Sequence, residues 1–401
     1  MFHRVFRFCY QIGLLLLLGP LVSCNSQHEP TWITSSDNNL RRMSENLLED
    51  VVRFSGLKVL ERIHLDYLTE EEISEHVRSR LETSLPQDKE SFITESYGLL
   101  GLLPMHLDLR ETLSDLYGGQ VIGFYDPDDK ALYLQEKVSL ESLESLLVHE
   151  LVHALQDQHF DLNALTGEAL NNDAKAAAMA AIEGHATLVM LEFLSEGTGD
   201  STLDMEDVSD FGIEISESIR DGQDGLDEAP LLLKETMFFP YIHGSQFVKA
   251  MRDQYGVTSV PFGSNLPKST EEVLHFGEQT TEEMGTPLVV RIKPDDKWTK
   301  LYEDTLGELE VSVLLGNVTG QKTSAKGWKG DRFALLEKGD GGRTLVWFSV
   351  WDNTEDRDRV VGILASHSKV GYLELSRMNL DGFPAVRVDI GPEAKVEVKV
   401  E

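Results

Sequence analysis

Two histidines four residues apart sit in the middle of an apolar stretch, and they constrain the fold more than any other feature. His149 and His153 bracket Glu150-Leu151-Val152 and follow Leu143, Leu146, Leu147 and Val148. The pattern predicts a long helix from near Ser139 to about Gln158. On a helix, residues four apart are offset by only about 40°, so both imidazoles leave one face a turn apart. That geometry can clamp one zinc ion. Glu150, about 100° round from His149, can reach a metal-bound water without being a ligand. Zinc lowers the pKa of such a water, and the carboxylate can take its proton and later pass it to a leaving amine. The same five residues also fit a buried helix with two satisfied core histidines, so context has to decide.

A third ligand comes from the next helical segment, the alanine-rich run Asn171–Phe193, which carries Ala181-Ile182-Glu183-Gly184-His185-Ala186. Small residues around Glu183 suit close approach of this helix to the first. His159 is the rival, six residues after His153, the spacing of the metzincin motif. That motif needs a glycine where this chain has Gln156, and Ala154–Gln158 holds no helix breaker. If the helix continues, six residues turn about 600° and carry His159 about 120° away from His153. Glu183 comes from a separate helix that can be placed freely, and its Glu-Gly-x-Ala setting resembles the third-ligand helix of gluzincin aminopeptidases, which implies that it is the ligand. Ahead of the helix, Val121–Tyr125, the turn Asp126–Asp129 and Ala131–Gln135 read as a β-hairpin. Zinc peptidases use such an edge strand to hold substrate by β-augmentation.

Several stretches together carry a family resemblance. They are Gly123-Phe124-Tyr125-Asp126-Pro127, His149 through Gln158, and Glu183-Gly-His-Ala, followed by Pro240-Tyr241-x-x-Gly244 and Pro267 through His275. Gly327-Trp328-Lys329-Gly330-Asp331-Arg332 and Trp351-Asp352 extend the likeness. This set resembles a bacterial family of HExxH lipoproteins and secreted proteins, similar to the gluzincin zinc metallopeptidases. The resemblance covers most of the chain after the leader and implies a gluzincin-like fold, with His149, His153 and Glu183 on zinc and Glu150 as general base. It names no substrate beyond a peptide or protein. Two positions depart from the pattern. His185 stands where an acid is expected, and Thr187 replaces a carboxylate that orients a zinc histidine in some gluzincins. Tyr241, His243 and His275 are candidates to donate to a developing oxyanion. Tyr241 suits best, because a phenol donates without adding charge, although Tyr241 and His275 equally fit structural packing.

The N-terminus predicts export. Arg4 and Arg7 precede the apolar run Ile12–Leu18, which is too short to span a bilayer, and Leu21-Val22-Ser23-Cys24 follows. This resembles a lipobox, implying that residues 1–23 are removed and Cys24 is lipidated and anchors the protein to the cell envelope. An ordinary signal with a cysteine at its end is the alternative. Cys9 and Cys24 are the only cysteines, which excludes a disulfide framework. Beyond the leader, no segment is expected to hold the chain in a membrane.

At 401 residues the chain predicts more than one domain. The expected organisation is α+β. A polar tether runs to residue 39. A mainly helical unit with a small edge hairpin occupies 40–285, and a smaller α+β unit occupies 286–401. Within the first, helical patterns run through Leu40–Phe54, Val77–Leu81, Phe92–Leu103, Leu109–Leu116, Phe247–Tyr255 and Thr270–Leu274. Leu57–Tyr67 reads as a strand, and Thr69 caps a helix. Beyond Pro287, strands are expected at Leu288–Ile292, Phe333–Leu336, Thr344–Ser349 and Ala385–Ile390, with helices near Glu303–Leu315 and Asp356–Ser366. Glu196–Glu228, with twelve acids and one arginine, reads as a solvated insertion, since its Asp221, Asp224, Asp227 and Glu228 lack the spacing of a calcium loop. His64, His76, His106 and His367 show no partner spacing. Trp328, Trp347 and Trp351 are expected in the core of the C-terminal unit in preference to a binding platform.

Charge closes off one function class. With 69 acidic and 36 basic residues, net −33, the chain cannot neutralise nucleic-acid phosphates. The functional expectation is a membrane-anchored zinc metallopeptidase. The alternative is a non-catalytic envelope lipoprotein that keeps the fold for binding or for structural zinc. Oligomeric state is not legible.

Overall fold

The computed structural model describes residues 31–118, 121–138, 140–197, 203–212, 229–277, 285–366 and 373–401. The leader, Cys24, the acids Asp221, Asp224, Asp227 and Glu228, and His367 lie outside the described residues. The fold is α+β.

The chain enters through a short strand, β1 (Ile33–Ser35), inside the stretch expected to be tether. Asp37 then accepts the Asn39 and Leu40 N–H groups and caps α1 (Asn38–Ser55). The strand expected over Leu57–Tyr67 is shorter, β2 (Ile63–Leu68), where Ile63 and Leu65 turn inward and His64 and Asp66 outward. Thr69 and Glu72 form a capping box on α2 (Glu70–Ser84). The next helix, α3 (Gln87–Leu99), sits earlier than the Phe92–Leu103 expected, because Leu102 and Leu103 turn back into a buried loop. After α4 (Leu109–Gly118) come β3 (Gly123–Asp126) and β4 (Ala131–Gln135), the expected hairpin. It is part of more than a hairpin. The sheet has four strands in the order β1-β2-β4-β3, parallel except for β3, which is its outer strand.

Helix α5 (Leu140–Phe160) runs unbroken past His159. Its apolar face, Leu147, Val148, Leu151 and Leu155, packs with Leu65, Leu132 and Leu134 of the sheet and Leu40, Leu47 and Val51 of α1. Helix α6 (Asn172–Gly197) follows, and then α7 (Leu231–Tyr255), which passes through Pro240 and begins far ahead of the Phe247 start that periodicity indicated. By length and composition α6 is apolar enough to cross a membrane, a property the sequence analysis assigned to no segment after the leader. It is nevertheless a core helix, with Ala177, Ala180, Ala181 and Leu188 packed against Phe239, Phe247 and Met251 of α7. The acidic segment is not solvated throughout: residues 205–212 are helical and bury Val208 in this same core.

Beyond α8 (Thr270–His275), β5 (Val290–Pro294) pairs with β11 (Val396–Val400). A five-stranded antiparallel sheet runs β6-β7-β8-β10-β9: β6 (Trp298–Asp304), β7 (Trp328–Lys338), β8 (Arg343–Trp351), β9 (Leu373–Leu380) and β10 (Phe383–Ile390). The helix expected at Glu303–Leu315 starts four residues later, as α9 (Gly307–Thr319), because β6 occupies Trp298–Asp304. α10 (Thr354–Ser366) matches expectation. Alternate residues of β7 and β8 face two different cores. Phe333, Leu335, Leu345, Trp347 and Trp351 meet α9 and α10, whereas Ala334, Leu336, Val346, Phe348 and Val350 meet β5. The three tryptophans are buried core residues, and the indole N–H groups of Trp328 and Trp347 both donate to buried Asp331. Tyr97, Leu102, Leu232 and Leu233 join the first of these cores, so residues on both sides of Gly285 share it.

Candidate metal centre

Helices α5 and α6 bring the three expected ligands together. His149, His153 and Glu183 each present one donor atom, all within 4.8 Å of one another. Glu183 Oε2 lies 3.2 Å from His149 Nε2 and 3.4 Å from His153 Nε2, and the two imidazole nitrogens are 3.1 Å apart. The rings meet edge to face. A separate close approach, of α6 to α7, is set by glycine. A Cβ on Gly184 would fall 2.1 Å from the Gly244 carbonyl carbon, and one on Gly244 would fall 2.3 Å from the Ala180 oxygen. Helices α6 and α7 thus cross backbone to backbone, one residue after Glu183 and three after Tyr241.

Charge and burial are in tension here. Burial pushes the Glu183 carboxyl up, but the charge of His153 and hydrogen bonds from both histidines outweigh it and hold it well below the usual range. Burial likewise opposes a proton on His153, yet Glu183 lifts its pKa to about 9. Two imidazole nitrogens and a carboxylate at these separations are three lone-pair donors that need a shared positive charge. A proton or a metal ion can supply it. The three residues could hold a metal ion, and a borderline-soft divalent cation with nitrogen and oxygen ligands fits the donor set.

Glu150 is buried on the β3 side of the centre, and its Oε2 accepts the Tyr125 N–H at 2.9 Å. Burial raises its pKa, against the pull of His153 and His149. The Tyr125 hydroxyl donates to Asp157, one turn of α5 beyond His153. Because Ile122 O accepts from Gln135 of β4 while Tyr125 N–H turns to Glu150, Gly123 and Tyr125 direct their backbone groups away from β4.

Of the three donor candidates, Tyr241 alone flanks a ligand, its ring stacked 6.4 Å from that of His149. His243 lies against Phe239, and burial drives its pKa down to about 4. His275, at the end of α8, is held by both carboxylate oxygens of buried Glu308 of α9. The rival ligand His159 is exposed, its Nε2 on the Lys58 carbonyl oxygen at 2.8 Å. His64 and His76 pair with Asp66 and Asp126, outside the centre.

Residue-type reasoning missed three contributors: the Tyr125 N–H, Gln156 and His185. His153 Nδ1 is 2.9 Å from Gln156 Oε1, and Gln156 Nε2 reaches Ile182 O at 3.0 Å and His185 Nδ1 at 3.1 Å. The i, i+3 spacing of His153 and Gln156 was a usable signal. The backbone N–H had none.

A family model described as a domain of unknown function (DUF8575) matches residues 298–368, from β6 through α10, and does not reach the residues of the metal centre. No curated protein matches the chain, and no solved structure does.

Proposed function

We propose that the chain is a zinc-dependent metallopeptidase with a gluzincin-like catalytic unit, exported and anchored through lipidated Cys24. The observation that carries the reading is the convergence of His149, His153 and Glu183 within 4.8 Å, with buried Glu150 beside them. These three residues would hold the metal. When bound, zinc supplies Lewis acidity and lowers the pKa of water at the site.

The chain's own residues account for the rest. Glu150, whose pKa burial raises, takes the proton of the attacking water and returns it to the leaving amine. The Tyr125 N–H fixes the orientation of that carboxylate. Gly123 and Tyr125, on the outer strand beside Glu150, offer carbonyl groups to an extended peptide, which would lie across the helix as an added strand. Tyr241 donates a hydrogen bond to the oxygen on which charge develops. The parallel strands, α1 and the α5–α6–α7 packing keep these groups rigid.

The test combines metal analysis of the purified protein with a casein or peptide-library digest by wild type and Glu150→Gln. One zinc per chain and proteolysis lost in Glu150→Gln support the reading. Stoichiometric zinc without Glu150-dependent cleavage would leave a non-catalytic, zinc-holding envelope protein.

A further inference from the structure

The hydrogen bonds behind His153 can be assigned by elimination from two backbone carbonyls, which only accept. Ser55 O, in the last turn of α1, lies 3.0 Å from His185 Nε2, so that nitrogen carries a hydrogen. Ile182 O lies 3.0 Å from the Gln156 side chain, so the atom facing it is the amide nitrogen. This fixes the amide orientation. The second hydrogen of the same nitrogen points at His185 Nδ1, 3.1 Å away, which accepts it. The remaining amide atom, Oε1, faces His153 Nδ1 at 2.9 Å and accepts, so His153 Nδ1 carries a hydrogen. Nε2 is then the atom left for the centre, and it is the atom that faces Glu183 and His149. Gln156 and His185 are fully buried, so no water competes for these bonds.

We propose that Gln156 is the positioning residue of the metal centre and that His185 locks its amide. The assignment rests on the metal reading given above. Gln156 selects the His153 tautomer that ligates through Nε2. Because Ile182 directly precedes Glu183, the same amide ties the ligand on α5 to the backbone that carries the ligand on α6. The chain uses a neutral amide where metal-bound histidines commonly meet a carboxylate or a carbonyl. His185, the departure noted in the sequence, thereby acquires a role. It supplies the only acceptor that the second amide hydrogen meets among the described residues, and its own N–H closes the chain on α1.

The experiment compares zinc dissociation constants, by chelator competition, with urea midpoints of the metal-free protein for Gln156→Leu and Gln156→Glu. Both variants lose the donors to Ile182 and His185, so both lower stability. Only Gln156→Leu loses the acceptor for His153. Gln156→Leu is expected to weaken zinc about 10–100-fold, and Gln156→Glu to stay within about threefold of wild type. Equal weakening in the two variants, in step with their stability loss, would make Gln156 merely structural and overturn the assignment. Unchanged affinity in Gln156→Leu would overturn it as well. Nitrogen-15 NMR of zinc-loaded wild type needs no variant: it should show His153 with a proton on Nδ1 and the metal on Nε2, and the reverse arrangement refutes the relay. Zinc binding in wild type with a failed Gln156 result leaves the metallopeptidase reading standing. Absence of zinc from wild type removes that reading and this one with it.

Discussion

Gly184→Ala should destabilise the protein although alanine is the better helix former. In an exposed helix the exchange gains about 1 kcal/mol. At position 184 the new Cβ would lie 2.1 Å from the Gly244 carbonyl carbon and 2.3 Å from its oxygen, where ordinary contact begins at 3.4 Å. The obstacle is backbone on both sides and has no rotamer through which to escape, so α6 and α7 must part by more than 1 Å, on the order of a methyl group's excess in a packed core. Overpacking of this kind costs about 1–3 kcal/mol or more, which exceeds the propensity gain. The helices that would move carry Glu183 and Tyr241, so zinc affinity should fall together with stability. Urea denaturation followed by circular dichroism reads the effect. Gly362→Ala is the internal control. That position is exposed within α10 with nothing within 4 Å of an added Cβ, and the substitution should stabilise by about 0.5–1 kcal/mol. A Gly184→Ala protein as stable as wild type would refute the tight backbone crossing of α6 and α7.

Three further outcomes are expected. Glu183→Ala should strip the metal, whereas His159→Ala, whose ring is occupied with Lys58 O, should retain zinc near wild-type occupancy; inductively coupled plasma analysis decides, and the reverse result would move the third ligand to His159. Burial pushes the Glu310 carboxyl up to about 8, with Asp304 and Asp331 adding to it against hydrogen bonds from Tyr97 and Asn172. A carboxyl whose folded pKa lies above its unfolded one stabilises fully below pH about 4.5 and loses that contribution as pH rises through about 8. Urea midpoints should therefore be less pH-dependent between 5 and 8 (about 1.4 kcal/mol per pH unit at most) in Glu310→Gln than in wild type, and an identical slope would contradict the raised pKa. Finally, Cys24→Ser should move the protein from the membrane fraction to a soluble exported form, and retention in the membrane would refute the lipobox reading.

The parts of the fold legible in the sequence were those with a local cause. The His149–His153 spacing and its apolar flanks specify a buried helix with one polar face, and α5 is that helix. Thr69 with Glu72 marks a helix start through side chains that bond the first turn. Glu183 was picked out by the likeness of its Glu-Gly-x-Ala setting to a gluzincin ligand helix; the small residues were expected to admit α5, whereas Gly184 meets Gly244 of α7. What escaped was set at long range. β1 is three residues long and exists because β2 pairs with it in parallel, a partner 30 residues away. β9 was missed because Ser376-Arg377 interrupts its alternation, whereas β11, with Val396, Val398 and Val400 alternating with Glu397 and Lys399, carried a usable signal that was passed over. Most of α7 was missed because its apolar residues point to several neighbours and blur the helical period. The relay through Gln156 and His185 depends on three helices meeting, which no single segment encodes.

The most direct test of the central claim is anomalous diffraction at the zinc edge from crystals of the zinc-loaded protein. One anomalous peak is expected, bounded by His149 Nε2, His153 Nε2 and Glu183 Oε2 at about 2.0–2.2 Å from each, with Glu150 beside it and not ligated. A peak elsewhere, or none while these three side chains stay hydrogen-bonded to one another, would contradict it.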